Sequence, residues 1–288
     1  MFDSLLESGF QRVLVLDGAA CGSTARRVLL CIAPYESAVE RPDPGVALIH
    51  PYYPVSQRAY QAARAWVQEL RASGGSARLA PELRVKPLFN RLEGFTIGKN
   101  TLAYLSGIGS RFHVQILESE ENFPLTDELG PPRRIGCGEC RACIQACPGG
   151  AIREDGFDPH RCIRFWMLNG QLPPPELRFR MGNRLLGCDR CQACCPINQP
   201  PITACPSVPL ELLFSPQASA ELAPWIGSNY ARPGRILIHA CILAAALKRS
   251  DLLPVLRDLE SHPLPVVREA AEEAAYALTM DDSKLEER

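Results

Sequence analysis

The sequence predicts a multi-domain α+β protein, with an α/β domain over residues 1–130, a cysteine-rich domain over 131–205 and an α-helical segment over 206–288. In the first part, short apolar runs surround one long amphipathic stretch, which is typical of strands packed against a helix. Nine of the 13 cysteines lie between residues 137 and 195. After them, apolar residues recur at helical spacing. A chain of 288 residues is long enough to bury more than one core.

Four runs rich in β-branched and apolar residues are predicted to be strands of the first domain. A helix is predicted over residues 56–72, because alanines and Trp66 recur on one of its faces. Ser56 is its expected N-cap, and the Gly74-Gly75 pair is expected to end it. Cys31 lies inside an apolar run and is expected to be a core thiol. The strands are predicted at residues 13–16, 28–32, 46–49 and 112–117.

Composition and charge are those of an ordinary globular protein. The net charge of −1 predicts no strong nonspecific attraction to nucleic acid, although 31 cationic side chains allow a local basic face. No stretch approaches the ~18 apolar residues of a membrane span, and the first residues lack the basic and apolar regions of a signal peptide. Many cysteines without a secretion signal indicate a reducing compartment. We therefore expect a soluble, cytoplasmic protein without membrane partners.

The cysteines form two runs with a recognisable spacing. The first begins at Cys137 and reads C-x2-C-x2-C-x3-C-P, which is the ligand run of bacterial ferredoxins. In that run the fourth cysteine binds the other cluster of a pair. The second run begins at Cys188, and Cys162 stands 26 positions before it. The spacing predicts a two-cluster ferredoxin-like domain with two [4Fe–4S] clusters.

The crossing rule assigns eight thiolates once Cys162 is taken as the displaced first member of the second run. A proline follows both Cys147 and Cys195, which holds each cysteine extended so that it can reach the far cluster. Cys194 is left over; it could replace Cys195, but the spacing and the adjacent proline favour Cys195. The predicted ligand sets are Cys137, Cys140, Cys143 and Cys195 for the first cluster and Cys147, Cys162, Cys188 and Cys191 for the second.

Zinc and disulfides are the alternatives to iron–sulfur clusters. Zinc sites usually use two C-x2-C pairs a dozen or more residues apart. That pattern does not account for three cysteines in seven residues followed by Cys-Pro. Disulfide frameworks belong to small secreted chains, whereas this chain has 288 residues. The pattern therefore favours iron–sulfur clusters.

Two interpretations stay open for the insertion between Cys162 and Cys188. It contains Phe165-Trp166-Met167 and a cationic stretch over residues 178–184. The aromatic residues are expected to cover a cluster and keep solvent away from it. Alternatively, the arginines contact a phosphate-bearing partner.

The C-terminal segment predicts helices at about 235–248, 251–260 and 265–278. The last has a proline in its first turn and an alanine-rich face. Such helices resemble a HEAT-type pair. A helical solenoid needs at least three repeats to bury its faces, so this segment is expected to dock on the rest of the protein.

The order of these parts resembles the epoxyqueuosine reductases, which are iron–sulfur and cobalamin enzymes that complete queuosine in tRNA. The resemblance covers residues 50–200 well and 233–280 loosely. The cluster spacing is shared with a superfamily that includes reductive dehalogenases. The Gly-Lys-Asn-Thr motif narrows the resemblance to the epoxyqueuosine reductases within that superfamily. The stretches that carry it are Gly94-Phe-Thr-Ile-Gly-Lys-Asn-Thr-Leu-Ala-Tyr, Gly109-Ser-Arg-Phe-His-Val-Gln-Ile-Leu, Met181-Gly-Asn-Arg-Leu-Leu-Gly-Cys-Asp-Arg-Cys and Pro265-Val-Val-Arg-Glu-Ala-Ala, together with the two cysteine runs.

The resemblance implies a reduction in which the clusters pass single electrons to cobalamin, and reduced cobalt removes an epoxide oxygen. It implies that Gly98, Lys99 and Asn100 meet the cofactor or substrate; for Lys99 the alternative is a solvated loop lysine. It further implies that the C-terminal helices hold tRNA and that a carrier such as a ferredoxin or flavodoxin supplies electrons.

The chain departs from the family in two places. The family has an aspartate that acts as proton donor three residues before a proline, and here that position is Arg84, before Pro87. The first domain is also shorter. The sequence assigns no catalytic residue, and two further functions stay open: a ferredoxin-type electron carrier or redox partner without its own catalytic site, and a relative whose clusters are mainly structural.

Overall fold

The computed structural model describes residues 2–36, 38–39, 43–132, 136–198 and 203–280. Within these ranges the α-helices are α1 (Asp3–Glu7), α2 (Tyr52–Ala72), α3 (Lys86–Phe89), α4 (Ala142–Ala146), α5 (Ile163–Asn169), α6 (Pro175–Arg178), α7 (Arg190–Ala193), α8 (Ala218–Ile226), α9 (Pro233–Ala246), α10 (Leu253–Leu259) and α11 (Pro265–Thr279). The strands are β1 (Arg12–Asp17), β2 (Arg27–Pro34), β3 (Ala38–Val39), β4 (Val46–Ile49), β5 (Ala77–Leu79), β6 (Phe95–Ile97), β7 (Ala103–Leu105), β8 (Phe112–Ser119), β9 (Ile152–Arg153), β10 (Gly156–Phe157), β11 (Arg184–Leu186), β12 (Thr203–Ala204) and β13 (Ser207–Pro209).

An antiparallel sheet of four strands, in the order β1-β2-β8-β5, forms the centre of the first domain. Side chains alternate between its faces, as the two-residue period of a strand requires. In β2, Leu30 packs into the core on one face, and Leu29 packs into the core on the other. Both are fully buried, so both faces of the sheet are covered. The four predicted strands are present, and β4 has the predicted bounds.

Helix α2 covers one face of this sheet, with Ala59, Ala63 and Trp66 in the core as predicted. The predicted start of this helix was wrong. It begins at Tyr52, and the Ser56 hydroxyl donates to the Tyr53 carbonyl at 2.9 Å inside the helix instead of capping it. Pro51, whose φ of −54° already suits a helix, allows the earlier start. Helix α3 and the β6–β7 hairpin cover the opposite face.

A second sheet joins the three parts of the sequence. Its central strand β4 pairs in parallel with β11, from the insertion, and antiparallel with β13, which precedes the C-terminal helices. Gly187, directly after β11, has a φ of +95°, and a Cβ there would lie 2.5 Å from the His50 Cβ and 2.9 Å from the Tyr53 ring. Only glycine fits this close approach. The domain boundaries stay a prediction, and this pairing crosses them.

The C-terminal helices α9, α10 and α11 lie close to their predicted positions. Helix α8 was not predicted; it has a proline within it, at Pro224. Helix α9 docks against the second sheet, where the buried His239 ring and the Leu185 carbonyl of β11 are 3.0 Å apart. The segment therefore packs on the rest of the protein, while its HEAT-like character stays a prediction.

Among the helices of the described ranges, none combines the length and the apolar character that a bilayer crossing demands.

Candidate metal centre

Short helices and extended residues hold the cysteines of the two runs. Cys143 lies on α4 and Cys191 on α7, and these two helices pack against each other. Cys147 ends α4 in an extended conformation, with φ −72° and ψ 111°, as the following proline requires. Cys162 is also extended, with φ −85° and ψ 119°, at the start of α5. Each of these two thiols can therefore project away from its own helix.

The first group of thiols surrounds Cys143. Burial raises the pKa of Cys143, and the negative charges of the Cys137, Cys140 and Cys195 thiolates raise it further. Thiolates interact in this way only when they are near neighbours. Cys194 also lies in this group, because its pKa is raised by burial and then by the charges of Cys143 and Cys195. The structure thus brings together the four predicted ligands of the first cluster, with Cys194 beside them.

The second group surrounds Cys191. Burial raises the pKa of this thiol, and the charges of Cys188, Cys162 and Cys147 raise it further, in that order. Cys143 acts on it more weakly, so the two groups are neighbours. Burial also raises the pKa of Cys188 to about 11. These are the four predicted ligands of the second cluster.

A cavity of about 200 Å³ opens beside the second group. All four of its cysteines line the cavity, together with apolar residues such as Ala151, Ile152 and Ile163. Four converging thiols in an apolar wall fit the donor set of a [4Fe–4S] cluster. Metal binding would displace the thiol protons that burial otherwise retains.

Within the described ranges, no three His, Cys, Asp or Glu side chains gather closely enough to hold a single metal ion. The thiolates of a cubane stand farther apart than the ligands of one ion, so this finding concerns single-ion sites alone.

Backbone N–H groups point at cysteine sulfurs of both groups. That of Lys99 lies 3.4 Å from the Cys137 sulfur, and that of Ala151 lies 3.2 Å from the Cys147 sulfur. Hydrogen bonds of this kind stabilise negative charge on a thiolate and so favour the reduced form of a bound cluster. Each group therefore has at least one such contact among the described residues.

The Gly98-Lys99-Asn100 loop, between β6 and β7, lies against the cysteine runs. A Cβ on Gly98 would be 2.7 Å from the Tyr104 ring and 3.4 Å from the Cys137 sulfur, so the approach requires glycine. The buried Asn100 side chain donates to the Tyr104 hydroxyl at 2.9 Å and to the Cys191 carbonyl at 3.3 Å. The loop therefore contacts both groups of cysteines.

The Lys99 side chain makes two contacts with the cysteine-rich domain. Its ammonium donates to the Cys140 carbonyl at 3.1 Å and to the Glu154 carboxylate at 3.2 Å, and its side chain is only 18% exposed. The alternative of a solvated loop lysine stays open, because both of these contacts lie at exposed positions. Whether these three residues also meet a further cofactor or substrate stays a prediction.

The arginines of the insertion contact other parts of the protein. Arg178 forms an ion pair with Glu273 of α11, and the Arg180 guanidinium donates to the Pro148 carbonyl. The Trp166 indole donates to the His160 carbonyl at 2.7 Å. The insertion is thus tied to both the cysteine region and the C-terminal helices, and its two interpretations stay open.

Sequence reasoning missed Arg164, which lies on α5 two residues after Cys162. Its guanidinium carbon lies 4.7 Å from the centre of the Tyr52 ring, and its Nε donates to the Tyr53 hydroxyl at 3.2 Å. Arg164 lines the cavity beside the second group, and so does Lys86 of α3. An arginine beside a predicted ligand was a visible signal, but the tyrosines that orient it are distant in sequence. Arg84 is exposed and does not line the cavity.

The cysteines outside the two groups occupy different environments. Cys31 and Cys241 are fully buried, and burial raises the pKa of each to about 12. The prediction of a core thiol at Cys31 is confirmed. Cys21 is buried next to the first sheet, and the Cys205 thiol donates to the Ile49 carbonyl at 3.4 Å.

Known proteins are similar to this chain in sequence. Residues 136–198 match the family described as "4Fe-4S double cluster binding domain", which confirms the predicted type of domain. Epoxyqueuosine reductase of Bacillus subtilis is 31% identical over 192 residues, which are 62% of this chain and 48% of that protein. The enzyme of that name from Escherichia coli is 41% identical over 105 residues, which are 35% and 26% of the two chains. The chain spans about half or less of these curated relatives.

Solved structures share the fold over almost the whole chain. A crystal structure of selenomethionine-labelled epoxyqueuosine reductase superposes with a TM-score of 0.71 at 19% identity, covering 99% of this chain and 91% of that one. An epoxyqueuosine reductase with an epoxyqueuosine-modified tRNA-Tyr stem loop gives 0.69 at 20% identity, covering 96% and 88%. Identities this low establish the fold alone. In the sequence that aligns with these relatives and in its fold, the chain is epoxyqueuosine reductase-like, as its motifs predict.

Proposed function

We propose that the protein is an iron–sulfur oxidoreductase with two neighbouring [4Fe–4S] clusters. The observation that carries the proposal is the grouping of the thiols, in which Cys195 joins the first run and Cys147 joins the second. This grouping follows the crossing rule of two-cluster ferredoxins. The proposed ligands are Cys137, Cys140, Cys143 and Cys195 for the first cluster and Cys147, Cys162, Cys188 and Cys191 for the second.

When bound, such clusters accept and donate single electrons. The residues of the chain would set their potentials and their access to water. The N–H groups of Lys99 and Ala151 stabilise thiolate charge, and Ile152 and Ile163 limit the approach of water to the second group. Contact between α4 and α7 keeps the two groups adjacent, which suits transfer of one electron at a time between them.

For the substrate, we propose a reduction in the queuosine modification of tRNA. Relatives named epoxyqueuosine reductase and a structural neighbour solved with an epoxyqueuosine-modified stem loop support this assignment. A single-electron carrier such as a ferredoxin or flavodoxin is the proposed donor, because the clusters take electrons singly. The chain covers 48% of the Bacillus subtilis relative, so substrate and donor need direct tests.

A corrinoid is the further cofactor that the resemblance implies. Pockets that enclose drug-sized ligands measure about 300–1,000 Å³. The cavity beside the second group measures about 200 Å³, and a cluster would take part of that volume. It does not fit a whole corrinoid, which would have to lie at the open mouth. Titration with cobalamin, followed by its visible spectrum, tests this binding directly.

A second candidate function is an electron carrier without chemistry of its own. The replacement of the family's acid by the exposed Arg84 favours it, since a guanidinium is not a proton donor near neutral pH. In addition, no Asp or Glu is among the described residues that line the cavity.

Two experiments separate these functions. Protein purified without oxygen should contain about eight irons and eight acid-labile sulfides, as two cubane clusters require. Stoichiometric zinc without sulfide would overturn the proposal. Expression in a strain that lacks its epoxyqueuosine reductase should then restore queuosine in tRNA. A protein with eight irons that fails to restore it would rule out this tRNA substrate and leave two functions, the reduction of another substrate and electron carriage.

A further inference from the structure

The cavity beside the second group of cysteines is lined by two chemically different sets of residues. One set consists of the four thiols and apolar side chains, and the proposed cluster would bind to those thiols. The other set consists of Lys86, Thr101, Arg164 and Arg190. The lining therefore includes three cationic residues, and no carboxylate is among the described residues that line the cavity.

Arg164 is held in a fixed position at this cavity. Its guanidinium lies over the Tyr52 ring, and its Nε donates to the Tyr53 hydroxyl. Such stacking leaves the two terminal nitrogens of the guanidinium able to form a bidentate hydrogen bond. Within the described ranges, its terminal nitrogens donate to no protein group, and no acid pairs with it. The side chain is therefore positioned for a partner that the chain does not supply.

Lys86 comes from a different element, α3, and faces the same space. Its ammonium donates to the Thr101 hydroxyl at 3.2 Å. Partial burial lowers the pKa of Lys86, and the positive charge of Arg164 lowers it further. The two cations thus repel each other across the cavity. Two like charges brought together at the edge of a partly enclosed space are stabilised by an anion between them.

We propose that this cavity contains a subsite for an oxyanion of the phosphate type, held by Arg164 and Lys86. The planar guanidinium matches two oxygens of a phosphate, the lysine supplies a compact charge, and Thr101 adds a hydroxyl donor. This inference rests on the proposed function, because it requires the second cluster to be bound to the four cysteines of the cavity. An anion bound here would lie in the same cavity as that cluster.

A free phosphate and the phosphodiester of a nucleic-acid substrate share this chemistry. The subsite takes a single phosphate group in both cases. A short RNA stem loop that displaces bound inorganic phosphate would identify the nucleic acid as the source. Phosphate that stays bound at saturating RNA would identify a free anion.

The test uses protein loaded with both clusters under anaerobic conditions, and calorimetric titration with inorganic phosphate. Arg164→Gln and Lys86→Gln should each weaken phosphate binding about tenfold, which corresponds to ~1.4 kcal/mol. Arg153→Gln is the matched control, because Arg153 lies in the same region, pairs with Asp158 and does not line the cavity. It should bind phosphate as the unaltered protein does.

A spectroscopic measurement supplies a second readout. Phosphate should change the EPR spectrum of the reduced second cluster in the unaltered protein and in Arg153→Gln. The change should be absent in Arg164→Gln at the same phosphate concentration. Because Arg164 and Lys86 lie on different elements, a folding defect in one variant leaves the other as a test.

Two results would overturn the subsite. One is a protein with eight irons that binds no phosphate, which would leave the proposed function intact. The other is an Arg164→Gln protein that binds phosphate normally but whose second cluster has a shifted reduction potential. In that case the positive charge of Arg164 would act on the cluster and not on an anion. Loss of iron from the unaltered protein would instead contradict the proposed function.

Discussion

The backbone N–H of Lys99 lies 3.4 Å from the sulfur of Cys137, so a loop of the α/β domain reaches a proposed cluster ligand directly. Gly98 permits this approach, since its neighbours leave no room for a side chain. The Lys99 ammonium then holds the Cys140 carbonyl in the same run. The loop is therefore part of the surroundings of the first cluster, although it precedes the run by almost forty positions.

Gly98→Ala should disturb the first cluster. The added Cβ would lie 2.7 Å from the Tyr104 ring, so the loop must shift and its N–H must move away from Cys137. We expect a lower reduction potential for that cluster and less iron after purification. Gly130→Ala is the control, because its Cβ would meet only the Arg91 carbonyl at an ordinary 3.5 Å. Equal iron content and potential in the two variants would contradict this role of Gly98.

Substitution of single cysteines tests the ligand assignment. Cys191→Ala should lose the second cluster and retain about four irons, because a cubane needs four thiolates. Cys194→Ala should retain about eight, although Cys194 lies beside the first group. Iron, acid-labile sulfide and the EPR spectrum of the reduced protein measure both results. Loss of a cluster in Cys194→Ala would exchange the roles of Cys194 and Cys195.

Gly187→Ala should destabilise the second sheet strongly. Its Cβ would overlap with His50 and Tyr53, and its φ of +95° is strained for alanine. Overpacking lowers the free energy of unfolding by about 1–3 kcal/mol, and the positive φ of the backbone lowers it by roughly 1–2 kcal/mol more. Gly9→Ala has a similar φ of +101° and open space around it, so only the backbone cost applies. Urea unfolding should show a larger loss of unfolding free energy for Gly187→Ala than for Gly9→Ala. Equal losses would mean that the second sheet accommodates the methyl group without strain.

The buried His239 should make stability depend on pH. Burial lowers its pKa to about 4 from 6.5, so the folded protein keeps the ring neutral while the unfolded chain takes up a proton. The stabilisation is complete above pH ~6.5 and is lost as the pH falls towards 4. His239→Gln should flatten this dependence, measured as thermal unfolding midpoints at pH 7.0 and 5.5. An identical drop in both proteins would assign the acid sensitivity to other groups.

Local patterns predicted much of the fold and most of the proposed metal centre. The strand at Val46–Ile49 and the helices near the C-terminus follow from apolar periodicity, which depends on near neighbours. The grouping of Cys195 with the first run was predictable because ligand spacing carries the geometry of the cluster. Long-range pairing was not predictable in this way. Nothing near β4 indicates that β11 would be its partner, and nothing near Arg164 indicates Tyr52.

The central position of β4 has a consequence for the order of events during synthesis. This strand leaves the ribosome early, whereas both of its partners belong to segments made well over one hundred residues later. Until then its edges are unpaired, and the proposed ligand Cys188, made just after β11, is anchored only when β11 pairs with β4. Delivery of iron and sulfide and closure of this sheet should therefore be coupled late steps of maturation. A cysteine region cut out alone would lack the strand that completes it.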